Sequence, residues 1–268
     1  TPSPENYRDQ GPDLREARGR NWFAIPAEAL PRRSLYCPGM KSAVIVLAAG
    51  RGERLGGKTP KAFVRLGGKT LLERTLDNLL QFSGFGWLQP VLSASDLALY
   101  SELGLPGDGR LAPPVVGGAE RQDSVAAGFA AIPEEFELVA IHDAARCRVS
   151  AADVARVMAA AEEFGAALLA SPARDTLKLV KDGVVAATPD RGDCWLAQTP
   201  QVFHRSLYAQ ALEKARADGF RGTDDAQLVE HLGVGVRVVE GSPGNFKITL
   251  PEDLALAEQL LALEETRP

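Results

Sequence analysis

The residues best equipped for chemistry stand in three separated stretches. Leu47-Ala48-Ala49-Gly50-Arg51-Gly52-Glu53-Arg54 runs on to Pro60-Lys61, His142-Asp143-Ala144-Ala145-Arg146 closes an apolar run, and Asn245-Phe246-Lys247 lies near the end of the chain. Small residues after a strand let backbone amides approach phosphate oxygens, and Arg54 and Lys61 are cations that neutralise them. The stretch matches neither the Walker phosphate loop nor the three-glycine dinucleotide fingerprint. A glycine pair alone reads as a solvated connection. Arg54, Pro60 and Lys61 turn Gly50 and Gly52 toward a phosphate ligand.

Asp143 falls at the carboxyl end of a strand, where open α/β folds bind ligands. A carboxylate there can hold Mg²⁺ against substrate phosphates; it can equally cap a helix or pair with Arg146. Gly117-Gly118-Ala119-Glu120-Arg121-Gln122-Asp123-Ser124 joins another strand to a helix, so its glycines allow close approach to a base and Ser124 offers it a hydrogen bond. An ordinary strand-to-helix turn with a capping serine has the same form. Lys247 can steady a phosphate from a short strand, although an exposed strand lysine is the commoner case. Thr223-Asp224-Asp225 reads as the start of a helix.

The elements that must hold these residues alternate along the chain. Strand-length apolar runs occur at Ala43–Leu47, Val91–Ala94, Pro114–Val116, Leu138–Ile141, Ala166–Ala170 and Val236–Val239, with helical patterns between them. That alternation predicts a mostly parallel sheet covered by helices. Leu71, Leu72, Thr75, Leu76, Leu79 and Leu80 form one helical stripe, and Thr70 with Glu73 makes a capping box. Ser150 with Asp153 and Thr249 with Glu252 repeat the pattern. One segment breaks the rhythm: Thr176–Val180 and Val184–Thr188 flank Lys181-Asp182-Gly183, and Asp-Gly predicts a β-hairpin that leaves the main sheet.

Composition narrows the function. The 268 residues include 30 Lys and Arg against 35 Asp and Glu, a net charge of −5 that provides no overall basic field for nucleic acid. Cys37, Cys147 and Cys194 are odd in number and lack a Cys-x-x-Cys pair, which disfavours a disulfide framework or structural zinc and suits a cytoplasmic protein. His142, His204 and His231 are never at metal-ligand spacing. No run has the length of a membrane span. Residues 1–39, polar and punctuated by proline, read as a loosely ordered extension, and residues 40–268 as one domain.

Taken in order, these motifs, with Arg174-Asp175-Thr176-Leu177-Lys178, Gln198-Thr199-Pro200-Gln201 and Val239-Glu240-Gly241, resemble the 2-C-methyl-D-erythritol 4-phosphate cytidylyltransferases from about Lys41 to Leu263. The resemblance implies a Rossmann-like three-layer, mostly parallel sheet of nucleotidyltransferase type with a protruding β-hairpin arm over about 172–197. It implies transfer of a cytidylyl group from CTP to methylerythritol phosphate with release of pyrophosphate and Mg²⁺ as cofactor. Arg54, Lys61 and Lys247 are then the charge-stabilising catalytic residues, and Asp143 the metal-associated carboxylate. Ala48, Ala49, Gly50, Gly118 and Ser124 hold the nucleotide, while Arg146, Thr176, Arg191 and Thr199 bind the acceptor.

The resemblance further implies a homodimer in which the arm reaches the neighbour's site; the cytoplasmic location and the expectation of no nucleic-acid or membrane partner rest on the composition above. A sister enzyme acting on ribitol 5-phosphate or another polyol phosphate shares the nucleotide half, and a regulator that holds CTP without turnover would need only the glycine loop. Cys147 stands where the family commonly has proline, Phe246 replaces its usual isoleucine, and residues 1–39 have no counterpart.

Overall fold

Ser42–Leu47 (β1) is buried along nearly its whole length. Val44 and Val46 join one apolar cluster, Ala43 and Ile45 another. A strand shared by two cores must lie inside a sheet covered on both faces. That is the architecture of the computed structural model, which describes residues 39–56, 59–105 and 107–265. The extension expected over residues 1–39, Gly39 apart, lies outside the described residues.

After β1 come a small hairpin, β2 (Arg65–Leu66) and β3 (Lys69–Thr70), then α1 (Leu71–Leu80), β4 (Phe85–Leu92) and α2 (Leu97–Ser101). β5 (Val115–Val116), α3 (Arg121–Ala131), β6 (Leu138–Asp143), α4 (Ala151–Phe164) and β7 (Ala166–Pro172) continue the alternation. The arm follows as β8 (Leu179–Lys181) and β9 (Val184–Ala187). β10 (Trp195–His204), α5 (Arg205–Ala217), α6 (Ala226–His231), β11 (Arg237–Glu240) and α7 (Pro251–Glu265) complete the chain. The seven-stranded sheet has the order β11-β7-β10-β6-β1-β4-β5. Its neighbours are parallel except at β10, which runs antiparallel to both β6 and β7.

On one face α1 and α4 cover the sheet, with Leu72, Leu76, Leu79, Val154, Val157 and Met158 wholly buried. On the other, α3, α5 and α6 bring Val125, Tyr208, Ala211 and Val229. Each fully buried Leu or Val contributes about 1.5–3 kcal/mol relative to exposure. A third cluster of Leu55, Leu66, Leu71, Cys147, Ile248 and Ala257 ties the loops after β1 and β6 to α7. This small core sets the loops at the carboxyl edge against one another.

The α1 capping box is complete: the Glu73 amide donates to Thr70 Oγ1 at 3.1 Å and the Thr70 amide to Glu73 Oε2 at 2.7 Å. At α4 only half of the box forms, since Ser150 Oγ accepts from the Asp153 amide while the Asp153 carboxylate turns to Arg156. At α7 the expected pair is corrected. Asp253, one residue beyond Glu252, accepts from the amides of Thr249 and Leu250, both at 2.8 Å, because Pro251 begins the helix and Asp253 is the carboxylate facing its free end.

The hairpin forms as expected, with Asp182 at φ 52° and Gly183 at φ 78° in the turn. The chain leaves the sheet after Pro172 and rejoins it at Trp195, which pairs with Pro172. β2, β3 and β10 have no counterpart among the expected strands. β10 contains Pro200, which removes an amide from the ladder, and its pairing with β7 shifts register between Ala197 and Gln201. Among the described residues no helix is long and apolar enough to cross a membrane.

Candidate active site

Register brings the first two functional stretches together. Leu47 of β1 pairs with Asp143 of β6, so both strands end side by side and their loops leave the same edge. The turn between β5 and α3 and the segment after β11 reach that edge too. Together they line a pocket of about 280 Å³.

Arg54 stands in a 3₁₀ turn, Glu53–Leu55, anchored through Leu55 in the third cluster. Lys61 opens a second such turn after Pro60, with Ala62 and Phe63 buried behind it. Gly52 is required where these loops cross: its φ is 68°, and a Cβ there would lie 2.3 Å from that of Lys61. The Ile248 amide donates to the Ala145 carbonyl at 2.9 Å and holds Lys247 beside the β6 loop.

Charges converge on Asp143. Lys247 Nζ donates to its Oδ2 at 2.7 Å, and Arg121 Nη2 lies 3.5 Å from its Oδ1. Burial opposes ionisation of this carboxyl, but Lys247 and Arg121 outweigh it and hold the pKa well below the usual carboxylate range. Lys61 is pushed down to about 8, by burial first and then by Lys247, against the pull of Asp143.

A buried relay supports Asp143 from behind. Its amide donates to Thr199 Oγ1 at 3.1 Å, and Thr199 Oγ1 lies 3.0 Å from His142 Nδ1. His142 Nε2 lies 3.2 Å from the Arg146 carbonyl. A carbonyl only accepts, so Nε2 carries the hydrogen, Nδ1 accepts, and the threonine hydroxyl is the donor between them. Burial pushes the His142 pKa down to about 4, which keeps the ring neutral.

A second pocket, about 370 Å³, opens beside the first and includes Arg146, Arg174, Leu177, Leu196 and Phe246. Lys247 lines both pockets, so the two adjoin at this residue.

The family model for 2-C-methyl-D-erythritol 4-phosphate cytidylyltransferase matches residues 42–263. The chain belongs to this family. It is 46% identical to a cytidylyltransferase of that name from Symbiobacterium thermophilum, over 84% of this chain and 94% of the relative. It is 44% identical to one from Syntrophus aciditrophicus, over 85% and 98%. The crystal structure of the Thermus thermophilus cytidylyltransferase covers 83% of this chain and all of its own, at 38% identity and a TM-score of 0.68.

Set against the roles that the cytidylyltransferase family implies, Ala48, Ala49, Gly50, Arg54, Lys61, Gly118, Ser124, Asp143 and Lys247 all line the first pocket. Arg146 lines the second, where two of its nitrogens donate to the carbonyls of Asn245 and Ala197. Thr199 is buried beneath Asp143, its hydroxyl taken up by the relay. Thr176 and Arg191 lie with the exposed arm, and Arg191 Nη1 donates to the Arg174 carbonyl at 2.9 Å.

Two residues of the site escaped the sequence. Arg121, at the start of α3, pairs with Asp225 at 2.7 Å as well as with Asp143. Asp225 is buried and accepts from the Tyr208 hydroxyl at 2.7 Å. Arg121 stands within the Gly117–Ser124 turn with nothing local to single it out, and the Asp224-Asp225 pair reads as a helix start. Asp224 does serve in that way, its Oδ1 accepting from the Gln227 amide at 3.0 Å. Cys147, the departure from the family's proline, packs in the third cluster, where burial raises its thiol to about 11.

Proposed function

We propose that this chain transfers the cytidylyl group of CTP to the phosphate of 2-C-methyl-D-erythritol 4-phosphate and releases pyrophosphate. The observation that carries the reading is the meeting of Arg54, Lys61, Asp143 and Lys247, from well-separated stretches, around one pocket at the carboxyl edge of the sheet. An oxygen of the acceptor phosphate attacks the α-phosphorus in line. The new P–O bond forms as the α–β bridge breaks and its electron pair leaves with pyrophosphate. No proton has to move at the phosphorus, so the protein's task is alignment and neutralisation of charge.

In this reading Arg54 and Lys61 stabilise charge on the α-phosphate and the departing pyrophosphate. Lys247, shared by both pockets, neutralises the α-phosphate where donor and acceptor meet. Ala48, Ala49, Gly50, Gly118 and Ser124 cradle the cytosine and ribose, their small side chains letting the backbone come close to the nucleotide. The second pocket takes the acceptor, with Arg146 toward its phosphate and Thr199 fixing the Asp143 backbone. Thr176 and Arg191 act from the arm of a partner subunit, as the family resemblance implies, while the base of the arm, Arg174, Asp175 and Leu177, lines the second pocket of its own chain. The exposure of Val180 and Val184 on the arm, 61% and 69%, supports a homodimer built through it.

The donor set suits Mg²⁺. Among the described residues no group of three or more metal-binding side chains occurs, and Asp143 is one buried, ionised carboxylate. Mg²⁺ takes one or two carboxylates when substrate phosphates supply the other oxygens. When bound, the ion adds positive charge to the triphosphate. Asp143 would hold it, with Lys247 and Arg121 keeping that carboxylate ionised. Both substrates are charged and water-soluble, in keeping with a cytoplasmic enzyme.

The test is pyrophosphate release from CTP with Mg²⁺, comparing methylerythritol phosphate and ribitol 5-phosphate side by side. Turnover with the first and little with the second is expected. Preference for ribitol 5-phosphate would reassign the acceptor, and release with neither would leave a CTP-binding protein.

A further inference from the structure

Lys247 is carried by a segment between β11 and α7 that belongs to no strand of the sheet. Something other than a ladder must hold it in place. On one side of the lysine Ile248 is packed in the third cluster with its amide on Ala145; on the other, two residues before it, Asn245 is wholly buried and is the polar side chain anchored there. Its Nδ2 donates to two acceptors on β10, Gln198 Oε1 at 3.0 Å and the Thr199 carbonyl at 2.9 Å. Gln198 Nε2 in turn donates to the Ser242 carbonyl at 3.1 Å.

The orientation of both amides follows from the chemistry. The carbonyls of Thr199 and Ser242 can only accept, so each must face an NH₂ group. That leaves Gln198 Oε1 to meet the remaining hydrogen of Asn245. The two amides and the backbone thus interlock in one arrangement. The backbone carbonyl of Asn245 accepts from Arg146 Nη1 at 2.9 Å. Gly241 makes room for the interlock, because a Cβ there would lie 2.9 Å from Gln198 Oε1.

The same short piece of β10 holds the other half of the charged pair. Thr199 carries the Asp143 amide on its hydroxyl and Asn245 on its carbonyl. One residue therefore sets the spacing between the supports of Asp143 and Lys247, whose charged ends meet at 2.7 Å.

We propose that Asn245, locked to Gln198 and Thr199, is a positioning residue for the reaction: it acts through Lys247 by fixing where the ammonium stands between the two pockets. The proposal rests on the reading of Lys247 given above. Asn is suited because its NH₂ has two hydrogens for two acceptors. Asp would place oxygen against oxygen at both contacts, and Ala would leave two buried acceptors empty.

The experiment is a double-mutant cycle on turnover, using Asn245→Ala, Lys247→Ala and the double variant, with single-turnover cytidylyl transfer at excess enzyme and Tm recorded for each. Lys247→Ala tests the reading itself, since unchanged turnover in that variant removes the lysine from the mechanism and the inference with it. With Lys247 present, Asn245→Ala is expected to slow transfer by about tenfold or more; with Lys247→Ala it should change the rate by less than about twofold, because coupled residues are non-additive. An equal slowing in both backgrounds would mean that Asn245 only supports the fold, and no slowing in either would likewise overturn the proposal. Gln198→Met, which leaves the Asn245 bond to Thr199, serves if Asn245→Ala does not fold. It should show a smaller loss with the same dependence on Lys247, and a loss independent of Lys247 would count against the proposal.

Discussion

Lys61 is half-buried beside a second ammonium, and both conditions work against its charge, bringing its pKa to about 8. A bound triphosphate favours the protonated form, so CTP affinity should be steady below pH 8 and fall above it, by up to about tenfold per pH unit. Equilibrium binding of CTP between pH 7 and 9.5 checks this, and Lys61→Arg should flatten the profile because guanidinium stays charged. Lys61→Ala should lower turnover by on the order of a hundredfold while the fold survives, since a transition-state charge contact is lost; steady-state rates with Tm as a control decide it. At this scale the sequence was readable where small residues and cations stand together, as at Ala48–Arg54 and His142–Arg146. Arg121 and Asp225 were not, because neither carries a local pattern that distinguishes a buried ion pair from a helix start.

At the scale of elements, the penultimate residue of β6 is a histidine that the fold keeps neutral. Its folded pKa of about 4 lies below the ordinary 6.5. The unfolded chain therefore binds the proton more tightly, and stability present above pH 6.5 is lost as pH falls toward 4. The loss attributable to His142 is roughly 2 kcal/mol at pH 5 and approaches roughly 3 kcal/mol at lower pH. Denaturant melts at pH 7 and pH 5 should show His142→Gln losing less stability over that interval than the parent protein. Most elements were visible through their period: α1 by its leucine stripe and capping box, β1 and β6 by continuous apolar runs. β10 was hidden because Gln198-Thr199-Pro200-Gln201 has neither alternation nor an unbroken apolar run. It becomes a strand because β6 and β7 supply partners on both sides.

For the whole molecule, the arm raises the question of which site it serves. If it completes a neighbour's site, Arg191→Ala should mainly raise KM for the acceptor phosphate. Mixing that variant with Lys61→Ala and allowing subunits to exchange, at an acceptor concentration well below the raised KM, should restore about a quarter of parental turnover, because half of the dimers are hybrids and one of their two sites is intact. Activity no higher than that of the separate variants would place the arm in its own subunit's site. The Asp182-Gly183 turn made the hairpin legible, yet its destination depends on a surface that no local pattern encodes.

The order of motifs and the alternation of periods determined the family and the layered α/β architecture, because both follow from local chemistry: which residues fit a turn, a strand buried on both faces, or one side of a helix. Tertiary structure alone decided that Asp143 stands between Lys247 and Arg121, and that a neutral His142, Thr199 and Asn245 hold it there. Those contacts join residues far apart in the chain. They exist only once the register of β1, β6 and β10 has placed their ends together, and a charge or hydrogen bond acts over a few ångströms of space whatever the distance along the sequence.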